Sequence, residues 1–190
     1  MNNKFYISKN KSVAIAIFAI AALFLFSSCQ TKHEMTSSVV DIKTTAQIFA
    51  DSITTIVSDS GIIRYRIITP EWYVYEKADT PYWDFPQGLR FERFDENYNI
   101  DAQVECNKAI YYSKQELWRL NDNVEATNLS KEEFYTNELY WSQKEERVYS
   151  DSAITIIQKD RKIHGVGFES NQTFSRYSIR QPKGTIPIEE

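Results

Sequence analysis

The sequence predicts an all-β fold, a single antiparallel domain of the sandwich, barrel or jelly-roll kind. Three observations carry that expectation. Several segments alternate apolar and polar residues with a period of two, the mark of half-buried antiparallel strands. Clusters of turn-forming residues separate them at short, regular intervals. Phe, Trp and Tyr make up 14% of the chain against only five glycines, a mixture that suits pleated strands better than a helix bundle.

The first 30 residues decide the compartment. Lys4, Lys9 and Lys11 precede an uncharged apolar run from Val13 to Phe26, which ends in Ser27-Ser28-Cys29. Such a run suits the h-region of a signal peptide and falls short of the roughly 20 residues that span a bilayer as a helix. Small residues before a cysteine resemble the bacterial lipoprotein signal, in which the cysteine is lipidated and becomes the new N-terminus. The expected organisation is a signal peptide at 1–28, lipidated Cys29 and a polar tether to residue 50, a β domain at 51–182, and a tail at 183–190. About 15 to 18 flexible residues span roughly 20–25 Å, enough to lift the domain clear of the lipid surface. Several acyl chains would make the anchor permanent.

Removing residues 1–28 takes three of the 22 basic residues and none of the acids, leaving 19 against 26, a net charge of −7. A nucleic-acid partner, whose phosphates need a basic face, is not expected. The cysteines left are Cys29 and Cys106, so with Cys29 lipidated no disulfide framework holds the fold.

The strands follow in order. Phe49, Ile53, Ile56 and Val57 fit one helical face, but Thr54, Thr55 and the turn Ser58-Asp59-Ser60-Gly61 favour a strand. Ile63, Tyr65 and Ile67 alternate with Arg64 and Arg66. Ile100, Ala102, Val104 and Cys106 alternate with Asp101, Gln103 and Glu105. Val124 and Ala126 flank Glu125, and Ile154 and Ile156 flank Thr155. Turns are expected at Asp95-Glu96-Asn97, Asn121-Asp122-Asn123 and Lys159-Asp160-Arg161-Lys162. The segment Pro70 to Pro86 reads as a loop or a pair of short strands. An internal echo sets residues 109–116 against 138–145, an offset of 29, and suggests stacked hairpin units.

Several stretches together resemble the LptC family in its Bacteroidota-type form. They are residues 56–67, Trp83-Asp84-Phe85-Pro86-Gln87-Gly88-Leu89 with Phe91-Glu92-Arg93-Phe94-Asp95, Ala109-Ile110-Tyr111-Tyr112, Thr136 to Trp141, and Gly165-Val166-Gly167-Phe168-Glu169-Ser170 with Phe174-Ser175-Arg176-Tyr177. The resemblance covers about residues 52–182. It implies the antiparallel β-jellyroll of the LPS-export periplasmic (OstA/LptA-like) type, with an open groove and free edge strands. It also implies a function: receiving lipopolysaccharide from the inner-membrane ABC transporter and passing it to an LptA-like periplasmic bridge protein. The chain would sit in the periplasm, held to the inner membrane by its lipid. Better-known relatives carry a transmembrane helix where this chain has the lipoprotein signal.

An apolar trough is what such a ligand requires, because shielding each CH₂ contributes about 0.8 kcal/mol. The expected lining is Ile63, Tyr65, Ile67, Ile100, Ala102, Val104, Val124, Ala126, Ile154 and Ile156, although alternation alone describes a filled core equally well. Open sheet edges would let neighbouring proteins add strands. The expected edges are Ile56–Ile68 toward the transporter and Ile163–Ser178 toward the bridge, with Ile163, Gly165, Gly167 and Phe168 as contact residues. A bulky charge at Gly165 or Gly167 is then expected to abolish partner binding and leave the fold intact.

Catalysis is not expected, nor is a cofactor or a metal. His33 falls in the tether, His164 has no Cys or Asp pattern beside it, and no Gly-rich phosphate loop exists. Two other readings fit a β-rich lipoprotein. A carbohydrate-binding protein would use Trp72, Tyr73, Trp83, Trp118, Tyr140 and Trp141 as stacking platforms, in an exposed planar row. A lipoprotein-sorting chaperone would have a closed barrel with a covering helix.

Overall fold

The structure, a computed structural model, describes residues 41–159 and 161–183. The signal peptide, Cys29 and most of the expected tether lie outside the described residues. Eleven strands follow one another: β1 (Ile48–Asp59), β2 (Ile62–Tyr75), β3 (Tyr82–Phe85), β4 (Leu89–Phe94), β5 (Ile100–Cys106), β6 (Lys108–Tyr112), β7 (Leu117–Asn128), β8 (Glu133–Ser142), β9 (Arg147–Gln158), β10 (Arg161–Asn171) and β11 (Tyr177–Lys183). All are antiparallel members of one sheet. No helix occurs among the described residues.

The pairing simplifies once bent strands are recognised. β2 pairs with β3 through Tyr73–Tyr75 and with β4 through Tyr65–Ile68. β3 and β4 therefore form one strand broken at Pro86-Gln87-Gly88. β5 and β6 are likewise one strand broken at Asn107, since both run along β7. The sheet is a plain meander in which each long strand bends near its middle.

The bends line up across the sheet. Register slips between Asn121 and Val124 in β7, between Thr136 and Tyr140 in β8, and between Val166 and Phe168 in β10. Positive φ marks Gly88, Asp122, Asn123 and Gly167. Gly is required at 88, where a Cβ would run into the Cys106 carbonyl and the Asn107 backbone. Each bend breaks ladder bonds, and the freed backbone groups need partners. Thr69 Oγ1 donates to the Gly88 carbonyl at 2.9 Å, Ser150 Oγ to that of Glu138 at 2.6 Å, and Thr136 Oγ1 to that of Ala153 at 2.9 Å. Asn107 N–H donates to the Asp122 carbonyl at 2.9 Å.

This seam folds the sheet into two layers. The first consists of the arms that end at the turns after Asp59, Phe94, Asn128 and Gln158. The second consists of the arms that end at the turns 76–81, 113–116, 143–146 and 172–176. The layers are offset. Trp141 of β8 meets Tyr65 of β2 and Phe91 of β4, with ring centroids 5.6 and 4.7 Å apart. Further along, Phe168 of β10 and Tyr177 of β11 meet Phe134 of β8 at 5.7 and 5.1 Å. Second-layer arms thus cover first-layer arms from earlier in the chain, which is a jellyroll closed on itself by stagger.

Several expectations need correction. Asn121-Asp122-Asn123 is the bend of β7 rather than a turn; its residues tolerate left-handed φ, but the strand continues past them. The hairpin echo is real with an offset of 30, not 29, because the left-handed turn residues are Glu116 and Glu146. That one-residue difference decides which face each side chain takes: Ala109 matches buried Leu139, not half-buried Glu138. Pro70 to Pro86 takes the second of its two expected forms, paired strands and not a loop: it is the end of β2 and all of β3, a hairpin. The ordered part begins before residue 51, since β1 starts at Ile48.

The proposed C-terminal edge also moves. β10 pairs with β9 on one side and, from His164 to Ser170, with β11 on the other, so Gly165, Gly167 and Phe168 are not at a rim, and Ile163 lies just beyond the stretch that β11 covers. The edge strand is β11. A Cβ at Gly165 would collide with Ile179 and the Gln181 backbone, and at Gly167 with Arg180. A bulky residue at Gly165 displaces β11, while at Gly167 the Arg180 side chain can move aside and the cost is the left-handed backbone at φ +78°, so neither substitution leaves the fold untouched. At the other end β2 is covered by β1, which is the edge.

Ser150 is fully buried at the seam, so Ser150→Ala leaves the Glu138 carbonyl and the Ser152 N–H without their partner. Urea unfolding should show a loss of about 1–3 kcal/mol. The exposed Ser178→Ala should stay within about 0.5 kcal/mol of the parent.

Candidate functional site

The apolar faces of the two layers meet along a cleft. All ten residues expected to line a groove lie on the first layer. Ile67, Ala102, Val104, Val124, Ala126, Ile154 and Ile156 are buried, with Ile156 at 0% exposure; Ile63 and Tyr65 are half-buried, and Ile100 is 38% exposed at the rim. Leu89 and Phe91 of β4 belong to the same wall. The opposite wall is built by the second layer, from Trp118, Leu120, Leu139, Trp141 and Val148. No expectation named these as lining. Their signal was hidden, because outward tyrosines sit next to inward aromatics in Tyr111-Tyr112, Tyr140-Trp141 and Trp72-Tyr73, and the alternation disappears.

The aromatic side chains of the second layer form a continuous band. Trp72 meets Trp83 at 5.0 Å, Trp83 meets Tyr111 at 5.0 Å, Tyr111 stacks on Trp118 at 4.6 Å, and Trp118 lies parallel to Trp141 at 6.2 Å. The band lies on the inner side of the second layer, with Trp118 and Trp141 buried and Trp72, Trp83 and Tyr111 half-buried, and its rings are tilted at Trp72–Trp83–Tyr111 and stacked only at Tyr111–Trp118–Trp141. It does not present the exposed planar row that a saccharide platform needs. Outside, Tyr140 and Tyr149 stack at 5.3 Å with Arg119 and Arg147 over them.

At their centre the layers are in contact. The free space between them is about 30 Å³, one water's share of the liquid, whereas ligand sites usually offer about 300–1,000 Å³. Polar groups in the cleft are few. Gln172 Oε1 accepts from Trp141 Nε1 at 3.2 Å and from Tyr65 Oη at 3.4 Å. The Trp118 indole N–H is buried and has no acceptor among the described residues. Arg93 pairs with Asp101 at the end of the first-layer wall. The cleft is apolar, has few groups for chemistry, and at its centre leaves no room for a lipid chain unless the layers or a side chain move.

Apart from Arg93 and its partner Asp101, the charged networks lie on the outer faces. Glu92 lies between Arg66 and Arg90. Glu138 accepts from Arg119 at 2.8 Å and from Tyr140 Oη at 2.9 Å. Partial burial raises the Glu138 carboxyl, but the bonds from Arg119, Tyr140 and Asn121 outweigh it and hold the group below its ordinary value. Burial pushes the Cys106 thiol up to about 11. His164 is exposed and bonds to Thr155 at 2.9 Å. No group of three His, Cys, Asp or Glu that could hold a metal occurs among the described residues.

A family model described as lipopolysaccharide-assembly, LptC-related, matches residues 13–180. No curated protein matches the chain.

Two solution properties follow from this electrostatic arrangement. Glu138 has a lowered pKa when folded, so its contribution is complete above the unfolded glutamate value of about 4.3 and is lost as the pH falls through the folded value. Glu138→Gln should be less stable than the parent at pH 7, and the gap should shrink on titration toward pH 3, read by urea midpoints. Cys106, with its raised pKa and 8% exposure, should resist a thiol reagent at pH 8 and react only when urea unfolds the chain.

Proposed function

Because the chain belongs to the LptC family of lipopolysaccharide-assembly proteins, we propose that it takes lipopolysaccharide from the inner-membrane ABC transporter and passes it to an LptA-like periplasmic bridge protein. The family is a periplasmic, inner-membrane-associated component of lipopolysaccharide transport. In this reading the Cys29 lipid replaces a transmembrane helix as the anchor, and the tether lets the domain reach the transporter.

The offset of the two layers is the observation that carries the reading. At the N-terminal end Trp72, Trp83 and Tyr111 of the second layer are only half-buried, and their ring contacts stay within that layer. At the C-terminal end Ile163 of the first layer is also half-buried. Each end therefore has apolar side chains that the opposite layer covers only in part. A neighbouring jellyroll of the same construction supplies the missing cover, and the apolar cleft then continues from one protein into the next.

The edges differ in character. β1 exposes Ile48, Phe49, Ile56 and Val57, with irregularities at Ser52 and between Val57 and Ser58 that leave Ile53–Val57 as its regular stretch for strand addition. β11 carries Arg180, Pro182 and Lys183. Pro182 lacks an N–H, which confines strand addition there to Tyr177–Gln181. We assign β1 to the transporter side and β11 to the bridge side. The saccharide and sorting-chaperone readings find less support, since the indoles face inward and no covering helix occurs among the described residues.

A photo-crosslinker at Val104 or Ile154 should trap lipopolysaccharide in an ATP- and transporter-dependent manner, while one at exposed Ser178 should trap the bridge protein. Adducts to lipopolysaccharide at outward Thr155 but at neither inward position would remove the cleft from the export path.

A further inference from the structure

The turn between β10 and β11 differs from the other hairpin turns. At Tyr98, Lys131 and Glu146 a left-handed residue donates its N–H to the carbonyl three positions back, and in each case the side chain points to solvent. Phe174 has the same φ, 55°, and the same bond, to the Asn171 carbonyl at 3.1 Å. Its side chain turns inward and is 2% exposed. A bulky residue held at positive φ is uncommon, and such strain persists where the surroundings over-determine it.

The ring enters the cleft. Phe174 lines the same narrow space as Trp118, Leu139 and Trp141 and packs on Phe134 at 5.2 Å and Phe168 at 6.2 Å. The turn is largely self-contained. Asn171 Oδ1 accepts from the backbone N–H groups of Ser175 and Arg176, both at 3.1 Å. Its ties to the rest are side-chain bonds, from Asn128 Nδ2 to the Phe174 carbonyl at 3.0 Å, and to Gln172 from Trp141 and Tyr65. Beyond these, swinging the turn out costs only the last pair of the β9–β10 ladder, Arg147 with Asn171, and the Ser170 Oγ bond to the Arg176 carbonyl at 3.1 Å.

We propose that the Phe174 ring occupies an acyl-chain site, and that the turn 171–176 is the door a lipid chain displaces. This rests on the lipid-carrier reading above. When the ring leaves, the space beside Phe134 and Phe168 joins the narrow cleft. The Trp118 N–H, unpaired and buried, then meets an oxygen acceptor of the incoming chain: an ester, an amide or a hydroxyl. The empty carrier keeps its apolar walls dry with its own side chain, and the ligand must first outcompete that ring. Apparent affinity is reduced by the fraction of time the door is shut.

The test uses the full chain in nanodiscs, purified lipopolysaccharide as probe, and a photo-crosslinker at Ile154. Phe174→Gly removes the ring and relieves the left-handed backbone. It should half-saturate at a lipopolysaccharide concentration about tenfold or more below the parent's, while Phe174→Leu, which keeps a plug, stays near the parent. Amide exchange of 171–176 in the parent should accelerate when lipopolysaccharide is added. Equal half-saturation for parent and Phe174→Gly overturns the door and leaves the carrier intact. No adduct in any chain overturns the carrier reading and the door with it. Should Phe174→Gly fail to fold, exchange in the parent decides: unchanged or slower exchange at 171–176 with lipid overturns the proposal.

Discussion

A sheet that bends across its middle must satisfy the backbone groups its ladder gives up, and most of this molecule's specificity lies in how it does so. The seam uses short side chains that reach the main chain, Thr69, Thr136 and Ser150, together with a glycine at 88 where no Cβ fits. Thr69 and Ser150 are buried, so losing either bond would cost the full desolvation penalty of the group left unpaired. Without the seam the meander would stay a single sheet with one apolar face in water. With it, the same face closes on itself, and the stagger of the arms leaves apolar side chains only partly covered at each end.

Legibility in the sequence followed the same division. First-layer arms alternate cleanly, as in Ile63-Arg64-Tyr65-Arg66-Ile67, because polar residues face outward there. Second-layer arms place tyrosines on the outside beside tryptophans on the inside, and no alternation survives. One wall of the cleft could therefore be read from the pattern and the other could not. The bend at Asp122-Asn123 carried true turn chemistry, but a local signal does not tell a chain reversal from a kink. The expected edges, Ile56–Ile68 and Ile163–Ser178, take in only the end of β1 and the start of β11, because those two strands carry weak alternation and few core residues. Phe174 gave no periodic signal, since its burial comes from a turn and not from a strand.

Transport asks for surfaces that hold a fatty chain without committing to it. Here the cleft is apolar on both walls, has few polar groups and is nearly filled in the unliganded chain. Charge networks around Glu92 and Glu138 stay on the outer faces, which keeps solvated groups away from the path. The two ends differ as well: β1 is greasy along its edge, and β11 is guarded by Arg180, Pro182 and Lys183. That asymmetry gives the meander a direction, which the proposed hand-over between two different partners would use.

The central claim is that the space between the layers is where lipid travels. It can be tested by contact quenching of Trp118 and Trp141, which face that space from the second layer. In a full chain with Trp72 and Trp83 replaced by phenylalanine, lipopolysaccharide bearing brominated acyl chains should quench the remaining emission strongly, and the unbrominated form should not. Equal emission with both forms, under conditions where lipopolysaccharide is demonstrably bound, would contradict the claim and move the ligand to the outside of the fold.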